Sequence, residues 1–356
     1  MQKTLLSLTV ITMLGLTTVA AAEAQTFRER IRDRIMSQQQ GGIDMQARGS
    51  LRDRMQAERR GAVHGQMRPG GQALPKHTSK VSIKVDGVSR DFYVHRPPGA
   101  SVRPGAVIAL HGGGGNAHRF ATSTSLPGLA FKEQFLVVFP DAIDGNWNDG
   151  RDQFSGKPSD VAFVAAIIDW LAEHEGVDLD RVFATGTSNG GAMAHRLACE
   201  APGLLAGIAP ISANLNDALY ASCQPASSTP VVMFNGTEDN LMLYDGGTPD
   251  IPGRETTGFV LSAEATASFW AGVAGCEGSP RQRDLPDRKD DGTTITILSY
   301  PCPDDQVVLY RINGGGHGVP GGPVAKPGFR ARLIGTTSQE IDAFAEAVSF
   351  FRRYGL

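Results

Sequence analysis

Hydrophobic positions along the chain first alternate with polar ones and then form continuous runs. KVSIKV (80–85) and DFYVH (91–95) alternate with a period of two around Asp86-Gly87, which predicts a β-hairpin. Short apolar runs bounded by turn residues follow, namely AVIAL (106–110), FLVVFP (135–140), RVFAT (181–185), LAGIAPIS (205–212) and PVVMFNG (230–236). Uninterrupted runs of this length are typical of parallel strands that are buried on both faces.

Segments with helical periodicity separate these runs. They are SDVAFVAAIIDWLAEH (159–174), GGAMAHRLACE (190–200), SAEATASFWAGV (262–273) and SQEIDAFAEAVSFFRRY (338–354). Strands that alternate with helices predict an α/β fold, with a mostly parallel central sheet, helices on both faces and right-handed crossovers. Ligands bind such sheets at the carboxyl ends of the strands, so the residues that follow each strand are the candidates for chemistry.

The amino-terminal residues do not share this pattern. Residues 1–24 contain one lysine, an apolar run from Leu5 to about Val19, and Ala22-Glu23-Ala24 where a signal peptidase would cut. The run is shorter than the ~20 residues that a membrane-spanning helix needs. We therefore expect a cleaved signal peptide and a secreted protein, extracellular or periplasmic, without a membrane span after cleavage.

Charge divides the remaining chain into two parts. Residues 25–75 hold ten arginines, no lysine and five acidic residues, a net charge of +5 that leaves −8 on residues 76–356 when the whole chain carries −3. The first part is predicted to be a disordered or partly helical basic linker, or alternatively a contact for an anionic surface. The second is predicted to be the catalytic domain, and its negative charge argues against a nucleic acid partner.

A serine in a tight turn is the predicted nucleophile. Gly186-Thr187-Ser188-Asn189-Gly190 has the G-x-S-x-G pattern, with a predicted strand before it and a predicted helix after it. The turn is so sharp that side chains beside the serine would collide, which explains the two glycines. Its geometry raises the Ser188 hydroxyl above the end of the sheet.

A serine hydroxyl needs a base, and the base needs an acid that orients it. In this arrangement the acid and then the histidine follow the serine along the chain, and His317 is the loop histidine that does so. Asp239, directly after the run that ends at residue 236, is the predicted acid. Its neighbour Glu238 remains an alternative, and Asp245 is a reserve candidate.

The stretch HGGGGN (111–116) follows the predicted strand AVIAL. Four glycines in a row lose much conformational freedom on folding, which is understandable where bare backbone N–H groups must approach a substrate. An ester hydrolase binds its oxyanion with the N–H of the residue after the nucleophile, here Asn189, and with an N–H from a loop after an early strand. Gly113 is the predicted second donor, with Gly112 and Gly114 as near alternatives.

From about Lys80 to Leu356 the chain resembles the secreted polyhydroxybutyrate depolymerase and feruloyl esterase family of α/β-hydrolases. The matching segments, in the family's order, are LHGGGGN, GNWNDGR, SDVAFVAAIIDWL, DLDRVFATGTSNGGAMAHRLACE, GTED and VVLYRINGGGHG. The resemblance implies an α/β-hydrolase fold and serine ester hydrolysis by Ser188, Asp239 and His317, with no metal or organic cofactor. The implied substrates are polyhydroxyalkanoate oligomers, feruloyl or acetyl esters of plant polysaccharide, or small esters.

Other residues gain expected roles from this resemblance. Asp160 looks like the family's aspartate at that place, with a helix N-cap as its simplest role. Trp147 would stand at the rim of the cleft, where it either packs against substrate or staples the loop. The family usually reads GGGHTWPGG, whereas this chain has Gly318 and Val319 after the histidine. We therefore expect a wider or differently shaped pocket, with Val319 as a candidate cleft residue.

The four cysteines form no C-x-x-C pair and have no nearby histidine pair, so a zinc site is not expected. An even number in an exported chain suggests two disulfides, for which three pairings are possible. The resemblance and the short loops it would close favour the sequential pairing, Cys199 with Cys223 and Cys276 with Cys302.

Two other functions compete with the esterase interpretation. One is a serine peptidase of the same fold, which is less favoured because no appended domain that could present a peptide is evident in the sequence. The other is a catalytically silent protein that binds a surface through its arginine-rich segment. An intact set of Ser188, Asp239 and His317 argues against the silent protein, because a binding protein needs no such set.

Overall fold

One central sheet organises the part of the chain that the structure describes. Its strands are β1 (Thr78–Val85), β2 (Val88–His95), β3 (Ala106–Leu110), β4 (Leu136–Pro140), β5 (Val182–Thr187), β6 (Gly207–Ile211), β7 (Val231–Gly236), β8 (Arg281–Asp284), β9 (Thr294–Ser299) and β10 (Val307–Asn313). They lie in the order β1-β2-β4-β3-β5-β6-β7-β10-β9-β8. The six strands from β4 to β10 in this order are parallel, and antiparallel pairs complete both edges. The mostly parallel sheet that the sequence predicts is thus confirmed.

The computed structural model describes residues 72–151, 156–249, 258–302 and 306–356, with nothing stated of the Arg330 side chain. The predicted signal peptide and nearly all of the predicted linker lie outside these residues. The folded unit runs from Leu74 to Leu356. Within the described ranges, no helix combines the length and the apolar character needed to cross a bilayer.

Helices cover both faces of the sheet. They are α1 (Ala117–Ser123), α2 (Leu126–Glu133), α3 (Asp160–Glu175), α4 (Asn189–Glu200), α5 (Asp217–Ser222), α6 (Ala263–Val273), α7 (Phe329–Ile334) and α8 (Ala343–Arg352). Val107 and Ala109 of β3 join one apolar cluster with residues of α1, α2 and α8. The alternating residues Ile108 and Leu110 are also fully buried. Because successive strand residues point to opposite faces, other helices cover that second side, and α4 packs against β5 and β6.

The amino-terminal hairpin follows the pattern of its sequence. β1 and β2 pair antiparallel from Thr78 opposite His95 to Val85 opposite Val88. Asp86 and Gly87 connect them with φ values of 51° and 78°. Positive φ at both turn residues matches the right-handed twist of the strands, which explains the Asp-Gly pair.

Two disulfides connect segments that follow one another along the chain. Cys199 at the end of α4 bonds to Cys223 after α5, and Cys276 after α6 bonds to Cys302 after β9. This is the sequential pairing. Each bond closes a loop of 24 or 26 residues. Loops of this length stabilise the folded state by about 3 kcal/mol, chiefly by restricting the unfolded chain.

A fully buried histidine lies in α4, the helix that begins beside Ser188. His195 Nδ1 accepts a hydrogen bond from Trp270 Nε1 at 3.0 Å, and Nε2 lies 3.4 Å from the Ala213 carbonyl oxygen. This arrangement holds the ring neutral with its proton on Nε2. Burial lowers the pKa of His195 from 6.5 to about 4.

We predict that His195 makes stability fall between pH 6.5 and pH 4. In that interval the unfolded state binds a proton at this residue that the folded state excludes, so the free energy of unfolding decreases by at most ~1.4 kcal/mol per pH unit. Urea unfolding of wild type and His195→Gln across this range measures the effect. His195→Gln is less stable at pH 7 but has a flatter pH dependence. Equal slopes in the two proteins would contradict the prediction, and exposed His174→Gln is the control.

Candidate active site

Ser188 lies in a strained turn between β5 and α4. Its φ and ψ are 53° and −121°, a left-handed backbone that a residue with a side chain rarely adopts. A Cβ atom on Gly186 would lie 2.4 Å from the Gly190 carbonyl oxygen, and one on Gly190 would lie 2.3 Å from the Leu110 carbonyl oxygen. Glycine is therefore required on both sides of the serine, as the sequence analysis expects. Ser188 is half-buried, and its N–H donates to the Ile211 carbonyl at 2.8 Å.

An aspartate and a histidine meet where β7 and β10 end. His317 Nδ1 lies 2.7 Å from Asp239 Oδ2, and Asp239 Oδ1 accepts the N–H groups of Leu241 and Met242, each at 2.8 Å. The carboxylate is buried, and 12% of the His317 side chain is exposed. Since a carboxylate accepts at Nδ1, that nitrogen carries the hydrogen and Nε2 is left as the basic nitrogen.

The other candidate acids lie elsewhere. Glu238 and Asp245 are exposed, and neither contacts His317 in the described part of the chain. The same ranges hold no group of three His, Cys, Asp or Glu side chains that could bind a metal ion. Asp239 is therefore the acid that the geometry pairs with the histidine.

The loops that carry these two residues touch backbone to backbone. A Cβ on Gly236 would lie 2.3 Å from the Gly315 carbonyl oxygen, and one on Gly316 would lie 2.1 Å from the Ile334 carbonyl oxygen. The N–H of His317 also donates to Ile334 at 2.6 Å. Side chains are excluded at these glycines, and the close contact leaves the aspartate and the histidine little freedom to separate.

Ser188 lies at the same edge of the sheet as this pair. Parallel strands β5, β7 and β10 all end there, and Ser212 Oγ, at the end of β6, lies 3.5 Å from the His317 carbonyl oxygen. No hydrogen bond joins Ser188 to His317 among the described residues. Such bonds are often long without substrate and shorten when it binds. The structure thus joins Asp239 to His317 and brings Ser188 to the same edge.

The glycine loop after β3 packs against the serine turn. Cβ atoms placed on Gly112 and Gly113 would lie 3.8 Å from Ser188 Cβ and 3.6 Å from Asn189 Cβ. The N–H of Gly114 donates to Gly145 at 2.8 Å, and that of Gly115 donates to Gly112 at 3.0 Å. Because the Gly114 N–H is already used, Gly113 and Gly112 remain the candidates for an oxyanion donor.

Trp147 does not line the rim of a cleft, and that prediction is wrong. Its side chain is fully buried, its ring centroid lies 5.1 Å from that of His111, and Nε1 donates to the His111 carbonyl at 2.8 Å. His111 Nδ1 donates to the Gly112 carbonyl, and Nε2 accepts the N–H of Ala142 at 3.2 Å. Burial lowers the pKa of His111, which favours this neutral form. Trp147 therefore staples the loop, the other role considered for it.

The side chain of Asn189 holds the same loop from the other side. Its Oδ1 accepts the Trp147 N–H at 2.7 Å, and its Nδ2 donates to Trp147 O at 3.0 Å and to Asp149 Oδ2 at 2.7 Å. Asp149 is fully buried and pairs with Arg151 at 2.6 Å. The residue that follows Ser188 is therefore locked in orientation. Sequence analysis missed this anchor, although the acidic residue of GNWNDGR was a signal for it.

Asp160 is not a helix N-cap, so that prediction is also wrong. Ser159 caps α3 through the Ala162 N–H. The Asp160 carboxylate instead pairs with Arg90 at 2.6 Å and accepts the Asn148 N–H at 2.7 Å. Both charged side chains are buried, and the guanidinium lies 3.9 Å above the Phe163 ring. This ion pair fastens the loop that also holds Trp147.

The residues after His317 leave no open space at position 318. A Cβ on Gly318 would lie 2.1 Å from Thr337 Oγ1, so Thr337 already fills that volume. The expected widening of the pocket is therefore absent at Gly318. Val319 is half-buried and packs against the apolar cluster beneath α1, α2 and α8, so only part of its side chain is available to a cleft.

A known family and several known proteins are similar to this chain. The family model described as Esterase PHB depolymerase matches residues 89–250, a range that includes Ser188 and Asp239 and ends before His317. The putative esterase NocK of Nocardia uniformis subsp. tsuyamanensis is 29% identical over 287 residues, which cover 77% of this chain and 82% of NocK.

Fungal esterases are similar in sequence to this chain over smaller fractions of their own length. Feruloyl esterase B of Piromyces equi is 28% identical over 57% of this chain and 37% of its own length. Acetylxylan esterase A of Talaromyces purpureogenus is 26% identical over 56% of this chain and 57% of its own length. The chain thus spans less than two thirds of either protein. An acetyl xylan esterase structure from Aspergillus awamori aligns with a TM-score of 0.55 and 16% identity over 77% of this chain and 99% of that one, which shows the shared α/β-hydrolase fold.

We predict that Asp160→Asn lowers the free energy of unfolding by about 3–5 kcal/mol, because it leaves the buried Arg90 charge without a counter-ion. Asp91→Asn is the matched control, since Lys80 and Asp91 form an ion pair of 2.7 Å whose side chains are 52% and 36% exposed. Exposed pairs contribute about 1 kcal/mol or less. Urea unfolding at pH 7 compares them, and similar losses for the two substitutions would contradict the prediction.

Proposed function

We propose that the chain belongs to the esterase PHB depolymerase family, whose model matches residues 89–250, and that it is a carboxylic ester hydrolase whose nucleophile is Ser188. The observation that supports this most is the 2.7 Å bond between His317 and the buried Asp239. It lies at the sheet edge where the strained serine turn also ends. A strained serine, an oriented imidazole and a buried carboxylate are the parts that acyl transfer requires.

Each residue has one role in the proposed reaction. His317 Nε2 takes the hydroxyl proton while Ser188 Oγ attacks the ester carbonyl carbon. Asp239 keeps the Nδ1 hydrogen bond and stabilises the imidazolium without accepting the proton. The N–H groups of Asn189 and of Gly113 donate to the oxyanion, and each donor contributes roughly 3 kcal/mol in the transition state.

The same groups then complete the cycle. The tetrahedral intermediate collapses, the alcohol leaves with the proton from His317, and the acyl group stays on Ser188. Water attacks this acyl-enzyme while His317 again acts as base, and the carboxylic acid is released. Two carbonyl additions thus share one histidine and one pair of backbone donors.

The proposed substrates are esters carried by polymers or by small molecules. Polyhydroxyalkanoate oligomers and the feruloyl or acetyl esters of plant polysaccharide follow from the family and from the names of the fungal relatives. We also propose that the protein is secreted. Two disulfides support this, since such bonds form and persist in oxidising compartments.

Ser188→Ala is expected to lower kcat on p-nitrophenyl acetate and butyrate at least ~1,000-fold, because alanine has no hydroxyl group to form the proposed acyl-enzyme. Ser222→Ala, an exposed serine on α5, is the control and is expected to keep wild-type activity. Initial rates at pH 7.5 give the comparison. The proposal fails if wild type hydrolyses none of the esters, or if Ser188→Ala retains its turnover.

Two adjacent carboxylates provide a second test. Asp239→Asn removes the charge that holds and stabilises the imidazole, so kcat is expected to drop by roughly 10⁴-fold. Glu238→Gln, one residue away and exposed, is expected to stay within twofold of wild type. A pH–rate profile of both variants on p-nitrophenyl butyrate measures this. A larger loss of kcat in Glu238→Gln than in Asp239→Asn would show that Asp239 is not the acid.

A further inference from the structure

The loop that carries His317 is paired with a segment that returns from further along the chain. We call residues 334–338 the return segment. Three of its carbonyl groups accept backbone hydrogen bonds from the histidine loop. Thr336 accepts the N–H of Gly316 at 2.8 Å, Ile334 accepts that of His317 at 2.6 Å, and Ser338 accepts that of Gly321 at 2.8 Å. These bonds lie on both sides of position 318, so the backbone there cannot move without displacing the histidine.

The return segment is itself anchored to the turn that precedes β9. The hydroxyl groups of Ser338 and Thr293 lie 2.8 Å apart, and Thr293 Oγ1 lies 2.6 Å from Asp291 Oδ1. The N–H of Gln339 donates to Asp291 Oδ2 at 2.6 Å. Ser338 and Thr293 are buried. These bonds fix the return segment in place, so it supports the histidine loop.

Thr337 is the point where this support meets the histidine loop through a side chain. Its side chain is buried, and a Cβ on Gly318 would lie 2.1 Å from its Oγ1, 2.8 Å from its Cβ and 2.9 Å from its Cγ2. Real Cβ atoms essentially never come this close to another heavy atom, so even alanine at 318 forces one of the two backbones to move. The volume at this contact holds one side chain, which either residue 318 or residue 337 could supply.

We propose that Thr337 is a positioning residue for His317, and that Gly318 and Thr337 form a size-matched pair that sets the imidazole against Asp239. The inference rests on the proposed function for the catalytic meaning of His317. Thr337 itself is not proposed to contact a reacting atom. It acts by filling the volume behind the loop, which prevents the loop from withdrawing and lengthening the 2.7 Å bond to Asp239.

The pair predicts non-additive effects in Gly318→Ala, Thr337→Gly and the double variant. Gly318→Ala is expected to lower kcat on p-nitrophenyl acetate at least tenfold with KM within twofold, since the histidine moves but the substrate contacts remain. Thr337→Gly is expected to lower kcat threefold to tenfold, because the loop loses its support. The double variant is expected to exceed Gly318→Ala in kcat by at least fivefold. Gly128→Ala is the control, because a Cβ there meets nothing within 4 Å.

A spectroscopic signature tests the same inference without turnover. The proton in a short bond between imidazole and carboxylate gives a low-field resonance in NMR spectra, and its absence from His317→Gln assigns it. The resonance is expected to be lost or displaced in Gly318→Ala and to return in the double variant. A Gly318→Ala protein that does not fold, with a double variant that folds and shows the resonance, supports the pair equally.

The outcomes separate this inference from the proposed function. A wild type that hydrolyses no ester defeats the proposed function, and the resonance then still decides whether Thr337 positions the histidine. An active wild type whose kcat and resonance are unchanged in Gly318→Ala overturns the inference alone. So does a double variant no better than Gly318→Ala in kcat and in the resonance.

Discussion

Close contact between bare backbones at the carboxyl edge of the sheet is the constraint on which the candidate site depends. Gly190 allows the serine turn to press against the end of β3, and Gly186 allows the two ends of that turn to meet. Gly236 allows the aspartate and histidine loops to touch, and Gly316 allows the histidine loop to touch the return segment. A Cβ added at any of these four glycines would lie 2.1–2.4 Å from a backbone carbonyl oxygen, so no other residue fits without displacing a backbone. Glycine is costly in conformational freedom, but here it restricts the Ser188, Asp239 and His317 side chains by placing their backbones in direct contact with neighbouring backbone.

Two ion pairs with buried carboxylates hold the loop beside the serine turn. Arg90–Asp160 and Asp149–Arg151 both hold the segment from Trp147 to Arg151, and Asp149 also binds the Asn189 side chain. Such pairs gain little net stability, because removing charges from water costs nearly what their attraction returns. Their effect here is geometric, since the Asp160 carboxylate also accepts the Asn148 N–H and the Asp149 carboxylate also accepts the Asn189 amide. These ions hold the segment beside Asn189, the proposed oxyanion donor, in one orientation, and removing one partner leaves the other charge buried and unpaired at a cost in stability.

The sequence predicts the strands and the serine turn because those features are local. It predicts Asp239 and His317, which lie 78 residues apart, because each follows an apolar strand run and the two come after the serine in a recognised chain order. A strand, the G-x-S-x-G turn and the helix after it can be recognised within a few residues of one another. The roles of Trp147 and Asp160 cannot be recognised in this way, because no motif in the sequence indicates their partners: His111 is 36 residues from Trp147, and Arg90 is 70 residues from Asp160. Tertiary partners decide whether a motif tryptophan faces substrate or core, and a motif does not name them.

The segment after the histidine shows the same limit in the opposite direction. A glycine where related sequences carry a larger residue suggests an enlarged pocket, yet Thr337 brings a side chain into that volume from nineteen positions further along the chain. Close packing explains why, since a void of that size would cost stability and let the loop that carries His317 move. Pocket shape is therefore set by pairs of positions. A comparison of substrate pockets that considers only the residues beside the histidine therefore omits position 337, which decides how much space is left at position 318.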